Sequence, residues 1–549
     1  MARQSSILLI IGLVGLLGFG AKADQNRFMV FFADKAESIY SIDAPLDFLS
    51  QKAIDRRVKV NQAITVQDLP VNANYLDSLI KYNVTPYYTS KWFNAALVEA
   101  DSADLDILIT KDFVLSYEYI APGTRLNPVT QPYTISFNPL EPSIVSSNSK
   151  TQIEMLGAQT MHAQGYTGEG VHVAVLDGGF QKVDQSAIFK HIFNNGRLKD
   201  RMDFTTNSEN VFDYDDHGSN VLSCMAGNYK TVLIGTGYDM DVSLYVTEDV
   251  SNNSSFEYRI EEYNWLLAAE RADSVGVDII ASSLGYSTFL DTSMNYTIAA
   301  LDGKTAVISK AADLASQKGI LVVCSAGNEG NGSWRYITMP ADVESVVTVG
   351  AISSNGNKSS FSSIGPTADG RTKPDVVALG QGVSVFHQNN TIGTNNGTSF
   401  SSPLIAGLAA GIWQQFPELT NVELKELILS IGDNHNNPDN SIGHGLPNYR
   451  RLINDSILSV KKVFDESFTV YPNPFTGDHI SILIEREYSR QDLDLKLYAP
   501  DGKLVAVKFE EKVKKGDIIN LEVKEHSKGL YVLRLQSGGE LKNVKLLRY

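Results

Sequence analysis

The chain predicts an α/β protein: a parallel sheet covered by helices on both faces, with a small α+β unit before it and a small β-sandwich after it. From about Lys150, short β-branched apolar runs alternate with helical patterns. The runs are Val171–Leu176, Asp278–Ser282, Ile320–Ser325 and Val346–Val349; Glu262–Ala272 and Lys304–Lys318 are two of the helical patterns. Unbroken apolar runs are strands buried on both faces, and strand–helix alternation over about 300 residues builds a parallel sheet. Upstream, the order is β-α-β-β-α-β. Downstream of about Val460, short strands alternate with turn residues and helical periodicity stops.

The 549 residues suffice for about three or four domains. A net charge of -16 argues against a nucleic-acid partner, since phosphate binding needs a basic face. The N-terminus reads as an export signal over 1–23: Arg3, the apolar run Ile7–Phe19, then Ala21-Lys22-Ala23 as a small-x-small cleavage site before Asp24. The run is too short for a membrane span, which needs about 20 apolar residues. A soluble, exported product is expected. The two cysteines, Cys224 and Cys324, do not make a disulfide framework; they read as buried thiols, and their pairing stays open.

The first unit, 24–120, has strands at Arg27–Phe32, Val84–Thr89, Ala95–Ala100 and Val114–Tyr119. Helices are expected at Leu46–Arg57, at Tyr75–Tyr82 and, capped by Asp101 or Ser102, at Ser102–Thr110. This is the ferredoxin-like order. Residues 121–149, rich in Pro, Ser, Asn and Thr with no sustained period, read as a linker and processing region. The α/β unit spans 150–455. The last unit, 466–549, has strands at Phe468–Tyr471, Ile480–Ile484, Leu495–Tyr498, Ile518–Val523, Tyr531–Gln536 and Val544–Leu547, with Asp501-Gly502 as a hairpin signal.

Four residues carry candidate chemistry. Asp177 ends an apolar strand, where a charge is costly without a partner. His217 opens a helical pattern, and its ordinary pKa suits reversible proton transfer. Ser399 lies in Asn396-Gly397-Thr398-Ser399-Phe400-Ser401-Ser402-Pro403, before the helical run Leu404–Gln415. Asn328, in Ser325-Ala326-Gly327-Asn328, offers an amide donor for an oxyanion. Each alone has a plain reading as a turn Asp, a surface His, a Ser-rich turn and a Gly-Asn turn. Together, in the chain order Asp, His, Ser, they match one of the orders in which the serine-hydrolase triad is assembled.

With Gly165-Tyr166-Thr167-Gly168-Glu169-Gly170-Val171, Ser282-Ser283-Leu284-Gly285 and Phe361-Ser362-Ser363-Ile364-Gly365-Pro366, the chain resembles the subtilisin-like (subtilase) serine peptidases from about Thr151 to Ile453. The resemblance implies endopeptidase activity, Asp177, His217 and Ser399 as triad, and Asn328 in the oxyanion hole. It also implies that Ser283, Leu284, Gly285, Ser325, Ala326 and Gly327 flank an extended protein or peptide substrate. Gly178, Ser219-Asn220 and Leu379 depart from the family's usual residues and mark a divergent branch. Residues 24–120, with Lys91-Trp92-Phe93-Asn94-Ala95, resemble inhibitory prodomains of subtilases from type IX-secreting Gram-negative bacteria. Tyr471-Pro472-Asn473-Pro474, Gly529-Leu530-Tyr531-Val532-Leu533 and Lys545-Leu546-Leu547 resemble those bacteria's cargo sorting domain. The implied partners are the prodomain itself and outer-membrane secretion machinery. The implied location is outside the cell or on its surface, reached through the periplasm.

No cofactor is expected. Calcium stays open at Asp213, Asp215 and Asp216, which lack a fixed loop pattern and read first as a solvated acidic loop. The alternative to a protease is a catalytically silent subtilase-like scaffold that binds proteins or surfaces.

Overall fold

The computed structural model describes residues 25–124, 129–145, 148–250, 257–454, 468–471, 473, 475, 478–484, 492–499, 503–523, 529–537 and 540–548. The export segment 1–23, Pro472, Pro474 and the Asp501-Gly502 turn lie outside them. Among the described residues no helix is long and apolar enough to cross a membrane.

The first unit is built from β1 (Asn26–Phe32), α1 (Gln51–Lys59), α2 (Ala73–Lys81), β2 (Thr85–Ser90), β3 (Ala95–Ala100), α3 (Ser102–Leu108) and β4 (Val114–Pro122). Its antiparallel sheet has the order β2-β3-β1-β4. The first helix starts later than expected. Pro45–Asp47 forms a separate 3-10 turn, and Ser50 Oγ accepts the Ala53 N–H, so Ser50 caps a new helix. Both faces of β1 are covered. Phe28, Val30 and Phe32 pack with Leu79, Leu105 and Leu108 of the unit's own helices. Met29 packs into the core of the α/β unit with Trp92, Leu97, Tyr263 and Leu266.

The α/β unit contains β5 (His172–Asp177), β6 (Leu198–Asp203), α4 (His217–Ala226), β7 (Asp241–Val246), α5 (Ile260–Val275), β8 (Ile279–Ser282), α6 (Val307–Gln317), β9 (Leu321–Ser325), β10 (Val347–Ile352), β11 (Val376–Leu379), β12 (Gln381–His387), β13 (Thr391–Asn396) and α7 (Thr398–Gln415). Seven strands run parallel in the order β11-β10-β9-β8-β5-β7-β6. Strand order reverses beside β5, so the carboxyl ends of β5 and β8 form the crevice where open α/β sheets bind ligands. α7 is buried on nearly every side from Thr398 to Trp413, as expected of a central helix apolar all round. Burying Leu404, Ile405, Leu408 and Ile412 contributes roughly 1.5–3 kcal/mol each. Cys224 and Cys324 are free and buried, and burial raises both thiols.

The described parts of the linker region 121–149 pair and pack with both units. β4 continues to Pro122, and Ser143-Ile144 pairs in parallel with Thr391-Ile392 of β13. Between them Tyr133, Ile135, Phe137 and Pro139 are half-buried while their neighbours are exposed. The period of two was present in Tyr133-Thr134-Ile135-Ser136-Phe137, but Pro and Asn around it masked a strand-like signal.

The C-terminal strands form two sheets. β14 (Phe468–Tyr471), β15 (His479–Ile484) and β18 (Ile518–Glu522) make one. β17 (Leu504–Glu510), β16 (Leu493–Tyr498), β19 (Gly529–Ser537) and β20 (Glu540–Arg548) make the other. Sequence reading missed β17, whose faces alternate between half-buried and exposed rather than buried and exposed.

The prodomain-like unit meets α5 through buried charge. Asp273 accepts from Arg56 at 2.6 Å, Arg57 at 2.8 Å and Lys91 at 3.2 Å, while Asp68 takes Arg57 at 3.0 Å and Lys318 at 2.9 Å. Glu270 accepts from the Lys91 and Trp92 N–H groups at 2.8 and 3.1 Å. Burial alone would raise Asp273, but Lys91, Arg56 and Arg57 outweigh it and hold the carboxyl well below its usual range. A depressed carboxylate stabilises fully above its unfolded pKa near 3.9, and the contribution disappears only as pH falls through the lower folded value. Asp273→Ala leaves three buried cations without their shared anion and should cost about 3–5 kcal/mol. The check is the urea midpoint of the Ser399→Ala precursor with and without the second change; an unchanged midpoint would refute the network's importance.

Candidate active site

Asp177 is the last residue of β5 and is fully buried. One oxygen, Oδ1, accepts from the Gly178 N–H at 2.8 Å and meets His217 Nδ1 at 2.7 Å. His217 is the first residue of α4, and its own N–H donates to Asp215 Oδ1 at 2.6 Å. The approach of α4 to the end of β5 requires glycine. A Cβ on Gly218 would lie 2.3 Å from the Gly179 carbonyl oxygen and 3.0 Å from Asp177 Cβ.

Ser399 is the second residue of α7, which begins six residues before the expected Leu404 and includes Pro403. An α-helical Pro403 lacks the N–H that would bond the Ser399 carbonyl. Ser283 Oγ donates to that carbonyl instead, at 2.8 Å, tying the end of β8 to the start of α7. Gly397, at φ 153°, makes the turn into the helix. Asn328 follows β9. Its Oδ1 accepts from Thr398 N–H at 2.9 Å and Thr398 Oγ1 at 3.0 Å, so both bonds use the oxygen and neither uses the Nδ2 amide. The Ser399 N–H belongs to the first turn, where a helix has no acceptor of its own. Ser399 Oγ donates to Ser283 O at 3.4 Å; among the described residues no hydrogen bond joins it to His217.

Beyond β8, Ser283-Leu284-Gly285 leaves the sheet with no strand partner among the described residues, and Gly285 is exposed. The opposite segment differs. Ala326 N–H bonds Val349 O, Ala326 O accepts from Thr338, and Gly327 O accepts from Ser363. Ser325 is buried. Ser325-Ala326-Gly327 therefore forms a wall, while Ser283-Leu284-Gly285 forms an open edge.

Asp213 accepts from Asn210 Nδ2, Asp215 from the His217 N–H, and Asp216 from the Gln388 N–H. These carboxylates face different partners, and among the described residues no group of three or more His, Cys, Asp or Glu converges on a metal position.

Burial opposes charging of His217, but the Asp177 carboxylate, with Asp215 and Asp216, overrides it and lifts the imidazole to about 9. Sequence reading missed two further features. Thr398 orients Asn328 through two bonds that only the fold reveals. Behind the β8 edge, Glu248 bonds Tyr286 OH and Glu261 accepts the Asp249 N–H at 2.9 Å. Burial raises both carboxyls, Glu248 to about 8. The available signal was Glu248-Asp249 one residue beyond the apolar run Val242–Val246 and Glu261-Glu262 opening a buried helix.

Sequence-family profiles match three segments. Residues 168–445 match the subtilase family, residues 27–134 the peptidase S8 propeptide domain of Bacteroidota, and residues 469–547 a secretion system C-terminal sorting domain. The first match covers just over half of the chain, and the chain belongs to the subtilase family. It is 31% identical over 281 residues to subtilisin NAT of Bacillus subtilis subsp. natto, covering 51% of this chain but only 64% of that protein. It is 31% identical over 287 residues to subtilisin DY of Bacillus licheniformis, covering 51% and 90%. Among solved structures, MycP1 from the ESX-1 type VII secretion system is 22% identical with a TM-score of 0.43, covering 57% of this chain and 89% of that one.

The Gly218 contact has a direct test. In the native chain the His217 ring should titrate near 9 by NMR. Gly218→Ala pushes α4 away from Asp177 and should drop that titration toward the ordinary value of about 6.5; an unaltered titration would show that the helix end accommodates the methyl.

Proposed function

We propose that this chain is a secreted serine endopeptidase made as a zymogen, with Asp177, His217 and Ser399 as its triad and Asn328 in its oxyanion hole. The observation that carries it is the 2.7 Å Asp177–His217 bond at the switch point of the sheet, beside the turn that presents Ser399 and Asn328. Family membership and the subtilisin relatives support the same reading.

In this mechanism Asp177 accepts the Nδ1–H and holds Nε2 as the basic nitrogen. Nε2 takes the Ser399 Oγ proton as the oxygen attacks the scissile carbonyl. The 3.4 Å bond to Ser283 O is weak enough to surrender that hydroxyl, and catalytic hydrogen bonds commonly tighten only with substrate bound. Asn328 Nδ2 and Ser399 N–H donate to the developing oxyanion. His217 then returns the proton to the leaving amine, and water releases the acyl group from Ser399 by the same steps. An extended peptide adds as a strand to Ser283-Leu284-Gly285.

The first unit serves as an inhibitory prodomain, supported by its propeptide-domain match and its docking on α5. The C-terminal unit addresses the chain to outer-membrane secretion machinery, supported by its sorting-domain match. The route is export to the periplasm, prodomain removal and passage to the surface or medium. The protein or peptide substrates lie there, and no nucleic-acid partner is involved.

Ser399→Ala should abolish both peptide hydrolysis and loss of the prodomain, followed by intact mass over time. If neither wild type nor variant changes mass or cleaves peptide, the protease reading fails. Asn328→Ala should lower kcat by about 10²–10³, the loss established for the oxyanion-hole amide of subtilisin itself, with little change in KM. Only neutral His217 can act as base, so kcat/KM should rise with pH along a limb above the ordinary imidazole range and toward 9. Asp215→Asn removes a charge that favours imidazolium and should move the limb to lower pH.

A further inference from the structure

The chain changes allegiance soon after β4. The Gly123 N–H bonds Asn26 Oδ1 and the Pro122 carbonyl accepts from Arg27, so residues up to Gly123 belong to the prodomain-like unit. From Thr130 onward the partners lie in the α/β unit. Thr130 Oγ1 bonds Asn207 Oδ1 at 3.3 Å, and Gln131 exchanges backbone bonds of 2.9 Å with Asn207 and Glu209. Arg201 donates to Tyr133 O at 2.5 Å. Phe137 stacks on Phe193 with ring centroids 4.4 Å apart. Leu140 bonds Gln185 and Ala187, and Glu141 takes Tyr229 OH at 2.6 Å. Ser143 and Val145 donate to Asn390 and Ile392, adding a third strand to the β12–β13 hairpin. The far end of that hairpin leads through Gly397 to Ser399.

We propose that residues 130–145 stay with the catalytic unit as a belt after maturation and do not leave with the prodomain. The proposal rests on the zymogen reading above. The step is hydrolysis of one peptide bond. Water supplies the hydroxyl of a new carboxylate on the prodomain fragment and the proton of a new amino terminus on the catalytic fragment. A cut after Val145 would expose the β13 edge and strip Phe193 of its stacked ring; open edges of this kind template unwanted pairing. A cut before Thr130 breaks none of these contacts. The propeptide-domain match runs on to residue 134, so the proposed boundary lies inside it.

The test combines two digestions of the full precursor, each read by N-terminal sequencing and intact mass of the catalytic fragment. Wild type is left to process itself. Ser399→Ala is treated briefly with trypsin; the chain has no Lys or Arg between Arg125 and Lys150, so a cut that separates the two units near the belt falls after Arg125 or after Lys150. The expected self-processed fragment begins at or before Thr130, and the expected tryptic fragment begins at Leu126. A self-processed terminus beyond Thr130, or a tryptic fragment beginning at Thr151, overturns the belt. If wild type does not cut itself, self-processing fails, and the tryptic fragment still decides the belt.

Discussion

The site depends on one buried carboxylate. Asp177 sits at the end of a strand covered on both faces, where an unpaired charge would cost several kcal/mol. The Gly178 N–H and the His217 ring meet that cost on one oxygen. Meeting it brings the start of α4 against β5, and only glycine at 218 lets the two backbones approach that closely. The same demand sets the electrostatics: a carboxylate pressed on the imidazole, with Asp215 and Asp216 behind it, favours the charged ring although desolvation opposes it.

The second half of the site is organised by hydrogen bonds that helix chemistry leaves open. Pro403 frees the Ser399 carbonyl, and Ser283 takes it. The Thr398 N–H, an orphan donor of the first turn, donates to Asn328 Oδ1 and fixes the oxygen end of that amide. Each bond uses a group that the helix itself cannot satisfy. The ends of β8 and β9 and the start of α7 are thus locked together without an added structural layer.

The N-terminal unit shows how far a second layer was implied in the chain. Phe28-Met29-Val30-Phe31-Phe32 is apolar at every position, whereas an antiparallel strand with one wet face alternates. The helices of its own unit cover one face and the α/β unit covers the other. α5 in turn carries Glu270 and Asp273 into a buried ionic network that a solvent-facing helix would not need.

The local code determined the elements. β-branched runs made the parallel strands, Asp101 and Ser50 supplied caps, and the order Asp177, His217, Ser399 singled out the candidate chemistry. All of these depend on neighbours within a few residues or on chain order. Tertiary structure decided what depends on distant partners. It began α7 at Thr398, because buried packing against β8 and β9 tolerates Pro403 inside the helix. It paired 143–144 with β13, since strand pairing is a property of two segments 248 residues apart at Ser143 and Thr391. It also set His217's basicity and the orientation of Asn328, because fields and hydrogen bonds act through space and chain separation does not enter them.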